Sequence, residues 1–203
     1  MGKVTQIHSS VRMFAMPDQT IAIAVVRSLD DMMQVISIRS QSYIAEQNCP
    51  WAEEFDNNDF CGTHLLLRKG GEPIGTLRLR FFSGFVKLER LAVLERFRNN
   101  GFAAHLVSHA IQMVARKGFG KIYIHAQGDA VSFWQELGFK PIAHRANFSF
   151  SGYSYIEMTF DFEPRHKLGL DTRPMVLNRP EGDWDRPGPL EGGIAGLDFA
   201  AND

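Results

Sequence analysis

The clearest chemistry in this chain lies in the stretch Leu91-Ala92-Val93-Leu94-Glu95-Arg96-Phe97-Arg98-Asn99-Asn100-Gly101-Phe102-Ala103. An apolar run ends, a basic loop with two Asn and a Gly turns, and an apolar-periodic segment begins. Where a strand feeds a helix in this way, the first backbone N–H groups of the helix lack an intrahelical partner. They carry a partial positive charge and form a site for an anion such as a phosphate. Gly101 and Ala103 are small where that anion would approach the main chain. Asn99 and Asn100 tolerate the left-handed conformations of a tight turn. Arg96 and Arg98 can add charge-assisted hydrogen bonds. The same residues also fit a plain connection with solvated arginines.

Other reactive groups are less organised. His105 and His109 stand four apart on one helical face, the spacing of a zinc pair, but Leu106 follows the first His where a metalloprotease needs Glu. They share their stripe with Gln112 and Arg116 and read as a solvated face. Cys49 and Cys61 have no Cys-x-x-Cys spacing, so no metal site is expected. No Ser-His-Asp order and no Walker loop is evident. The acidic stretch Glu54-Phe55-Asp56-Asn57-Asn58-Asp59 lies upstream of several arginines. It could receive a cationic or zwitterionic molecule, or knit a loop to a sheet.

The elements that must position these groups follow from periodicity and breakers. Thr20 to Arg27 is apolar and β-branched, a predicted strand. Ser28 with Asp31 opens a helix carrying Leu29, Met32, Met33, Ile36 and Tyr43 to about Gln47. Thr63 to Arg68 and Pro73 to Phe82 flank a Gly-Gly turn as a hairpin, and Phe85 to Leu94 is a third antiparallel strand after Ser83-Gly84. Phe102 to Lys117 is a helix ended by Gly118, and Lys121 to Ala126 is a strand. Asp129 is expected to cap a helix running to Leu137. Ile142 to Phe150 and Tyr153 to Phe162 are expected to close as a hairpin. Antiparallel strands first, then one β-α-β crossover, then a hairpin predict an α/β fold, a mixed sheet flanked by helices.

The predicted organisation is a leader over residues 1–19, one domain over 20–162 and a Pro/Gly-rich arm over 163–203. The arm holds five Pro and six Gly in 41 residues, too broken to own a core. Its Met175, Val176, Leu177, Trp184, Ile194, Leu197 and Phe199 are spaced as anchors, for a strap over its own domain or over the mate in a homodimer. Lys+Arg is 22 against Asp+Glu 23, a formal net charge of -1, so no basic field exists to hold nucleic acid. The longest apolar run, Ile21 to Val26, is far too short for a membrane span, and residues 1–20 lack the apolar centre of a secretory signal. Two cysteines fit free thiols in a reducing cytoplasm.

The loop resembles the phosphate-binding signature of the GNAT superfamily of acyl-CoA-dependent N-acyltransferases, Arg/Gln-x-x-Gly-x-Gly/Ala, here Arg98-Asn99-Asn100-Gly101-Phe102-Ala103. Asn99 stands where the family usually has Gly. A second stretch, Ala130-Val131-Ser132-Phe133-Trp134-Gln135-Glu136-Leu137-Gly138-Phe139, is similar to the family's A-x-x-F-Y-x-x-x-G-F helix and turn. The resemblance covers about residues 20 to 162. It implies the GNAT fold, with its sheet splayed between the fourth and fifth strands. It also implies acetyl-CoA or another acyl-CoA as donor and a small-molecule or peptide amine as acceptor. By the same resemblance, Arg98, Asn99, Asn100, Gly101, Phe102 and Ala103 would hold the pyrophosphate. Leu91, Ala92 and Val93 would pair with the pantetheine arm, Val93 giving its N–H to the thioester oxygen. Gln127, Ala130 and Phe133 would lie near the far end of the cofactor.

Acyl transfer needs a neutral amine, and a lysine-type amine with pKa near ~10.4 is mostly charged at neutral pH. Glu89, on the fourth strand and two residues from Leu91, is the candidate base; it could equally pair with Arg78, Arg80 or Arg90. Lys87 occupies the more usual base position. Trp134 replaces the Tyr that many members use to protonate the leaving thiolate, and indole cannot do so. Tyr123, Tyr153, Tyr155, His125 or water are the substitutes.

Arg39, Tyr43, Glu46-Gln47, the acidic stretch and His64 resemble the ElaA-like branch. More distantly they resemble the acyl-homoserine-lactone and N-acyl amino acid synthases, which share a Glu-x-Asp-x-x-Asp spacing. On that resemblance Arg39, Glu54, Asp56, Arg80 and Arg90 would contact the acceptor. Those synthases generally take acyl groups from a carrier protein and lack the CoA phosphate loop, which ranks the CoA-dependent reading first. A weak acyl-CoA-binding protein is the third reading, prompted by Trp134.

Overall fold

A computed structural model describes residues 20–150, 152–164, 168–169, 172 and 174–188. The leader over 1–19, most of the arm and its anchors Ile194, Leu197 and Phe199 lie outside the described residues.

Strand β1 (Ile21–Val25) leads into helix α1 (Leu29–Arg39). Ser28 caps α1 through its Oγ, which accepts the Asp31 N–H at 3.1 Å, and Asp30 and Asp31 complement the helix dipole in the first turn. The chain continues as π-helical turns over Ser40–Glu46 and a short helix α2 (Trp51–Glu54). Strands β2 (Thr63–Lys69), β3 (Glu72–Phe82) and β4 (Phe85–Val93) form two consecutive hairpins, the first turning on Gly70 and Gly71 at positive φ. Helix α3 (Phe102–Arg116) crosses over to β5 (Lys121–Gln127). Helix α4 (Val131–Glu136), the two-residue β6 (Lys140–Pro141), β7 (Phe148–Phe150), β8 (Tyr153–Asp161) and helix α5 (Pro174–Leu177) complete the described elements.

The sheet order is β1-β2-β3-β4-β5-β8-β6, with β7 paired to β8. Side chains alternate across it, as a period of two requires. Leu65, Leu67, Leu77, Leu79, Val86 and Leu88 pack on Leu106, Val107, Ala110, Met113 and Val114 of α3. Leu66, Ala92 and Leu94 pack on Val35 and Ile38 of α1.

Two irregularities shape the centre. The parallel pair β4–β5 is matched only at Val86↔Ile122 and Lys87↔Tyr123; beyond these the strands separate, which is the expected splay. In β4, the partners of Thr76 and Arg78 are Ala92 and Glu89, so Arg90 and Leu91 together oppose Leu77. Arg90 takes φ 54° to do so. This bulge turns the end of β4 away from the plain ladder.

Two local expectations are corrected. Asp129 does not cap α4: it falls in a short 3-10 turn over Gly128–Ala130, and no side chain caps the helix. Residues 142–147 are not a strand. The Ile142 N–H still bonds Glu157 O at 2.9 Å, but the chain then turns out with His144 at φ 64°, and strand pairing resumes only at Phe148, opposite Tyr155.

Candidate functional site

The separation of β4 from β5 opens a cavity of about 1280 Å³. At one end stands the start of α3. Gly101 is its first flanking residue at φ 77°, and no side chain caps the helix; the first intrahelical bond runs from His105 N–H to Gly101 O, 3.0 Å. The amides of the first turn therefore face the cavity end without a side-chain acceptor. Asn99 adopts φ 60°, the freedom expected where the family usually has Gly. Asn99, Gly101, Phe102 and Ala103 all line the cavity. Asn100 does not; its amide folds back to the Arg98 carbonyl at 2.8 Å.

Arg98 lines the cavity, but its guanidinium is committed to protein groups. Nε donates to the Val93 carbonyl at 2.9 Å and Nη2 pairs with Glu46 at 2.5 Å. It pins the loop between the end of β4 and the π-helical segment. That segment is stitched to β4 a second time, since the Tyr43 hydroxyl donates to the Leu91 carbonyl at 2.7 Å.

Leu91 and Val93 line the cavity and Ala92 does not. Alternation gives the reason. The Leu94 N–H bonds back to Ile74 O at 2.9 Å, so the N–H of Val93, one residue earlier, points the other way, into the split. Ala92 faces α1 instead and is 5% exposed. Gln127, Ala130 and Phe133 line the opposite wall, together with Trp134. Trp134 is 6% exposed and packs edge-on against Phe133 and Phe139, both at 5.1 Å; it is a wall.

Behind β4 lies a charged network. Arg39 and Arg78 are fully buried. Arg39 pairs with Glu54 at 2.5 Å and Asp59 at 2.6 Å; Arg78 pairs with Asp56 and Asp59, both at 2.7 Å, and with Glu89 at 3.0 Å. Arg90, swung round by the bulge, reaches Glu54 at 3.0 Å and Asp56 at 3.3 Å. Burial opposes ionisation of Asp56 and Asp59, but hydrogen bonds from Arg78 and Arg39 outweigh it and hold both carboxyls below the usual range. Glu54 goes the other way, because its burial outweighs Arg39 and Arg90.

Of the residues expected at the acceptor, Asp56 and Arg90 reach the cavity; Arg39, Glu54 and Arg80 do not. Their charges are spent on one another and on knitting the acidic stretch to the sheet. Glu89 lines the cavity with three cations around it: Arg80 at 2.6 Å, Arg78 at 3.0 Å and Lys87 at 3.1 Å. Burial alone would raise its carboxyl, yet the Arg78 and Lys87 charges win and lower it. A carboxylate so held is a poor proton acceptor. Arg78 had no place in the expected site because nothing in a strand's alternation marks which arginine turns inward.

Across the split, His125 lines the cavity. Its Nε2 lies 2.7 Å from the Tyr123 hydroxyl, which donates to Glu157; Glu157 also pairs with Arg145 at 2.7 Å. Tyr155 lines the cavity beside Phe148, with which it stacks at 5.6 Å. Tyr153 is held by the Gln47 carbonyl at 3.4 Å. Among the described residues no group of three or more His, Cys, Asp and Glu could hold a metal, and no helix is long and apolar enough to cross a membrane.

A mixed sheet split between two parallel strands, with an uncapped helix start at the mouth of the split, is the arrangement that the resemblance to acyl-CoA-dependent acyltransferases implies. The acetyltransferase (GNAT) family matches residues 32–139, just over half of the 203, and the chain belongs to that family. It is 26% identical over 137 residues to the uncharacterized N-acetyltransferase YjcF of Bacillus subtilis, covering 68% of this chain and 97% of that protein. The crystal structure of Escherichia coli ElaA superposes with a TM-score of 0.63 at 22% identity, over 70% of this chain and all of that one. A GNAT acetyltransferase of Elizabethkingia anophelis, solved with acetyl-CoA bound, superposes with a TM-score of 0.56 at 16% identity, over 70% of this chain and 98% of that one. The protein is an acyl-CoA-dependent N-acyltransferase, and acetyl-CoA is its family's acyl donor.

Proposed function

We propose that residues 20–162 form a unit that transfers the acetyl group of acetyl-CoA to the amine of a small molecule bound in the β4–β5 split. The observation that carries the donor half is the start of α3: its amides have no capping side chain, and a Cβ built on Gly101 meets nothing within 4 Å. That is the open space and the partial positive charge a diphosphate requires. Phe102, Ala103 and Ala104 offer their N–H groups there. Arg98, Asn99 and Asn100 shape the loop, Arg98 through its bond to Val93 O and Asn100 through its bond to Arg98 O.

When bound, acetyl-CoA supplies an activated acyl carbon whose thiolate is a tolerable leaving group, with a pKa near ~8.5. The Val93 N–H, turned into the split, donates to the thioester oxygen as its charge develops. Leu91 and Val93 present the β4 edge as a template for the pantetheine amides, and Phe133, Trp134 and Gln127 wall the opposite side. The acceptor amine enters beyond Val93, beside the paired side chains of Asp56, Glu89, Arg90 and Lys87 that line the cavity there. Glu181, Asp183 and Trp184 contact Arg27, Arg116 and Lys117 of the same chain, which favours a strap over a homodimer contact. The exposed thiol of Cys61 suits a reducing compartment, and we assign the enzyme to the cytoplasm.

Thermal unfolding with saturating acetyl-CoA tests this. Ligand at a hundred times its Kd stabilises by about 2.7 kcal/mol, and acetyl-CoA and octanoyl-CoA should both shift the transition through the shared diphosphate. Acyl carrier protein without CoA should not. A shift with the carrier protein alone, or none with acetyl-CoA, overturns the reading.

A further inference from the structure

We propose that His125 is the base of the reaction, taking a proton from the acceptor ammonium on its Nδ1, while Tyr123 and Glu157 act as positioning residues that fix its tautomer. The inference rests on the acetyl-transfer reading above and adds the residue that makes the acceptor nucleophilic.

The argument starts from strand register. Tyr123 is the last residue of β5 matched to β4, opposite Lys87. His125 is two residues on, hence on the same face, at the point where the strands have parted. Across β8 its register partner is Glu157, so the acid stands on the same face of the sheet. Three side chains thus form a line: His125 at the cavity, the Tyr123 hydroxyl 2.7 Å from its Nε2, and Glu157 accepting from that hydroxyl. Arg145 closes the line on Glu157 at 2.7 Å, and Phe148 holds the imidazole edge-on at 4.9 Å.

A tyrosine has one hydroxyl proton. Tyr123 gives it to Glu157, so at its contact with His125 the oxygen accepts and Nε2 must carry the hydrogen. The neutral ring then has its lone pair on Nδ1. An imidazolium formed at Nδ1 keeps its Nε2–H on the Tyr123 oxygen, which is polarised by the Glu157 carboxylate.

The groups facing His125 are Lys87 and Glu89 from β4, Tyr123 from its own strand, and Glu157 from β8 with Arg145 behind it. Partial desolvation and the Lys87 charge outweigh Glu157 and Glu89, and the imidazole is pressed below its ordinary value. It is therefore neutral, and able to accept a proton, at neutral pH. Glu89 has three cations on its oxygens and lacks that capacity.

The protons balance. An acceptor ammonium gives one proton to Nδ1, which releases it to solvent. The freed lone pair forms the C–N bond to the acyl carbon as the C–S bond breaks, its electron pair leaving on sulfur. The second nitrogen proton neutralises the thiolate through water, so Trp134 is not asked to donate. The products are the amide, the thiol and one proton.

Two measurements on the full chain test the proposal. Imidazole 15N–1H correlation spectra of the free protein should show His125 as the Nε2–H tautomer at neutral pH, and Tyr123→Phe should abolish that preference while the amide spectrum stays folded. Thiol release from acetyl-CoA, with butylamine and phenethylamine as acceptor probes, should fall about 100-fold in kcat/KM in His125→Gln, and the acid limb of the pH profile should vanish. Tyr123→Phe should lose about tenfold and move that limb. Acetyl-CoA affinity by calorimetry should stay within about twofold in both variants. A wild-type Nδ1–H tautomer, or a His125→Gln enzyme with unchanged rate and pH profile, overturns the proposal; where neither amine turns over, the tautomer decides. Loss of acetyl-CoA binding in the wild type marks instead the failure of the donor reading.

Discussion

Arg78 shows how much the charged network weighs on stability. Its side chain is wholly buried, and an unpaired charge there would be prohibitive; Asp56, Asp59 and Glu89 together satisfy it. Breaking such a cluster from one side is worse than never building it, because the remaining charges stay buried without a partner. Arg78→Met should therefore destabilise the protein by about 3–5 kcal/mol, read as a lower urea midpoint at pH 7. The same cluster sets the acid response. Asp56 and Asp59 are held lower in the folded chain than in the unfolded one, where an Asp titrates near ~3.9. Their contribution is thus complete above that value and is lost as pH falls below it towards the folded values. Glu54, raised by burial, has the opposite sign and costs stability as pH rises through its folded value. Urea midpoints should drop on acidification below about pH 4, and Asp56→Asn should make that drop smaller. An equally steep drop in the variant would remove Asp56 from the account.

The elements around the split divide into those with local causes and those without. Gly101 has a local cause: the residue flanking the start of α3 takes φ 77°, which glycine adopts without steric penalty. A Cβ there meets no atom within 4 Å, and the same is true of Gly71 at φ 82° in the β2–β3 turn. Ala at either site should cost about 1–2 kcal/mol from the left-handed backbone alone, a fall of several degrees in Tm. Only Gly101→Ala should also weaken acetyl-CoA, by about tenfold in Kd, because only its methyl projects where the diphosphate sits; equal affinities in the two variants would detach the loop from the donor. The Ser28 cap, both glycine turns, α3 and the basic loop were legible in the sequence for the same reason: each is decided within about six residues. The Arg90 bulge was not. Val86 to Val93 has no glycine or proline to mark a defect, and its one sign is the polar pair Glu89-Arg90 that interrupts the alternation. The turn over 142–147 has only the polar His144, Arg145 and Asn147 to mark it, with no glycine or proline inside it.

At the scale of the whole molecule, the site is assembled from β4, β5, β8 and the π-helical segment, and no sequence spacing announces which residues will meet. Strand position alone brings Glu89 to the split, but the three cations around it come from β3 and from its own strand. His125 was visible only as one of several proton donors, since its relay depends on the β5–β8 register. The arm is similar. Its Trp184 was legible as an anchor, but not where it would land. It packs against the main core with Arg116 and Lys117 of the α3 end over its ring at 5.8 and 5.7 Å. Lys117 also pairs with Glu181 at 2.5 Å, and Arg27, just after β1, with Asp183 at 2.7 Å. Residues 181–184 thus join the exit of α3 to Arg27, just after the first strand. That point is a full helix away from the phosphate loop, about 22 Å for the 15 residues of α3. The strap should therefore act on stability without touching the donor site. Trp184→Ala removes a half-buried indole and two cation contacts and should cost about 1–3 kcal/mol, seen as a lower urea midpoint, while the calorimetric Kd for acetyl-CoA stays unchanged. A variant that keeps its stability would mean the arm merely rests on the domain; one that loses acetyl-CoA affinity while still folded would mean that the far end of α3 is coupled to its first turn.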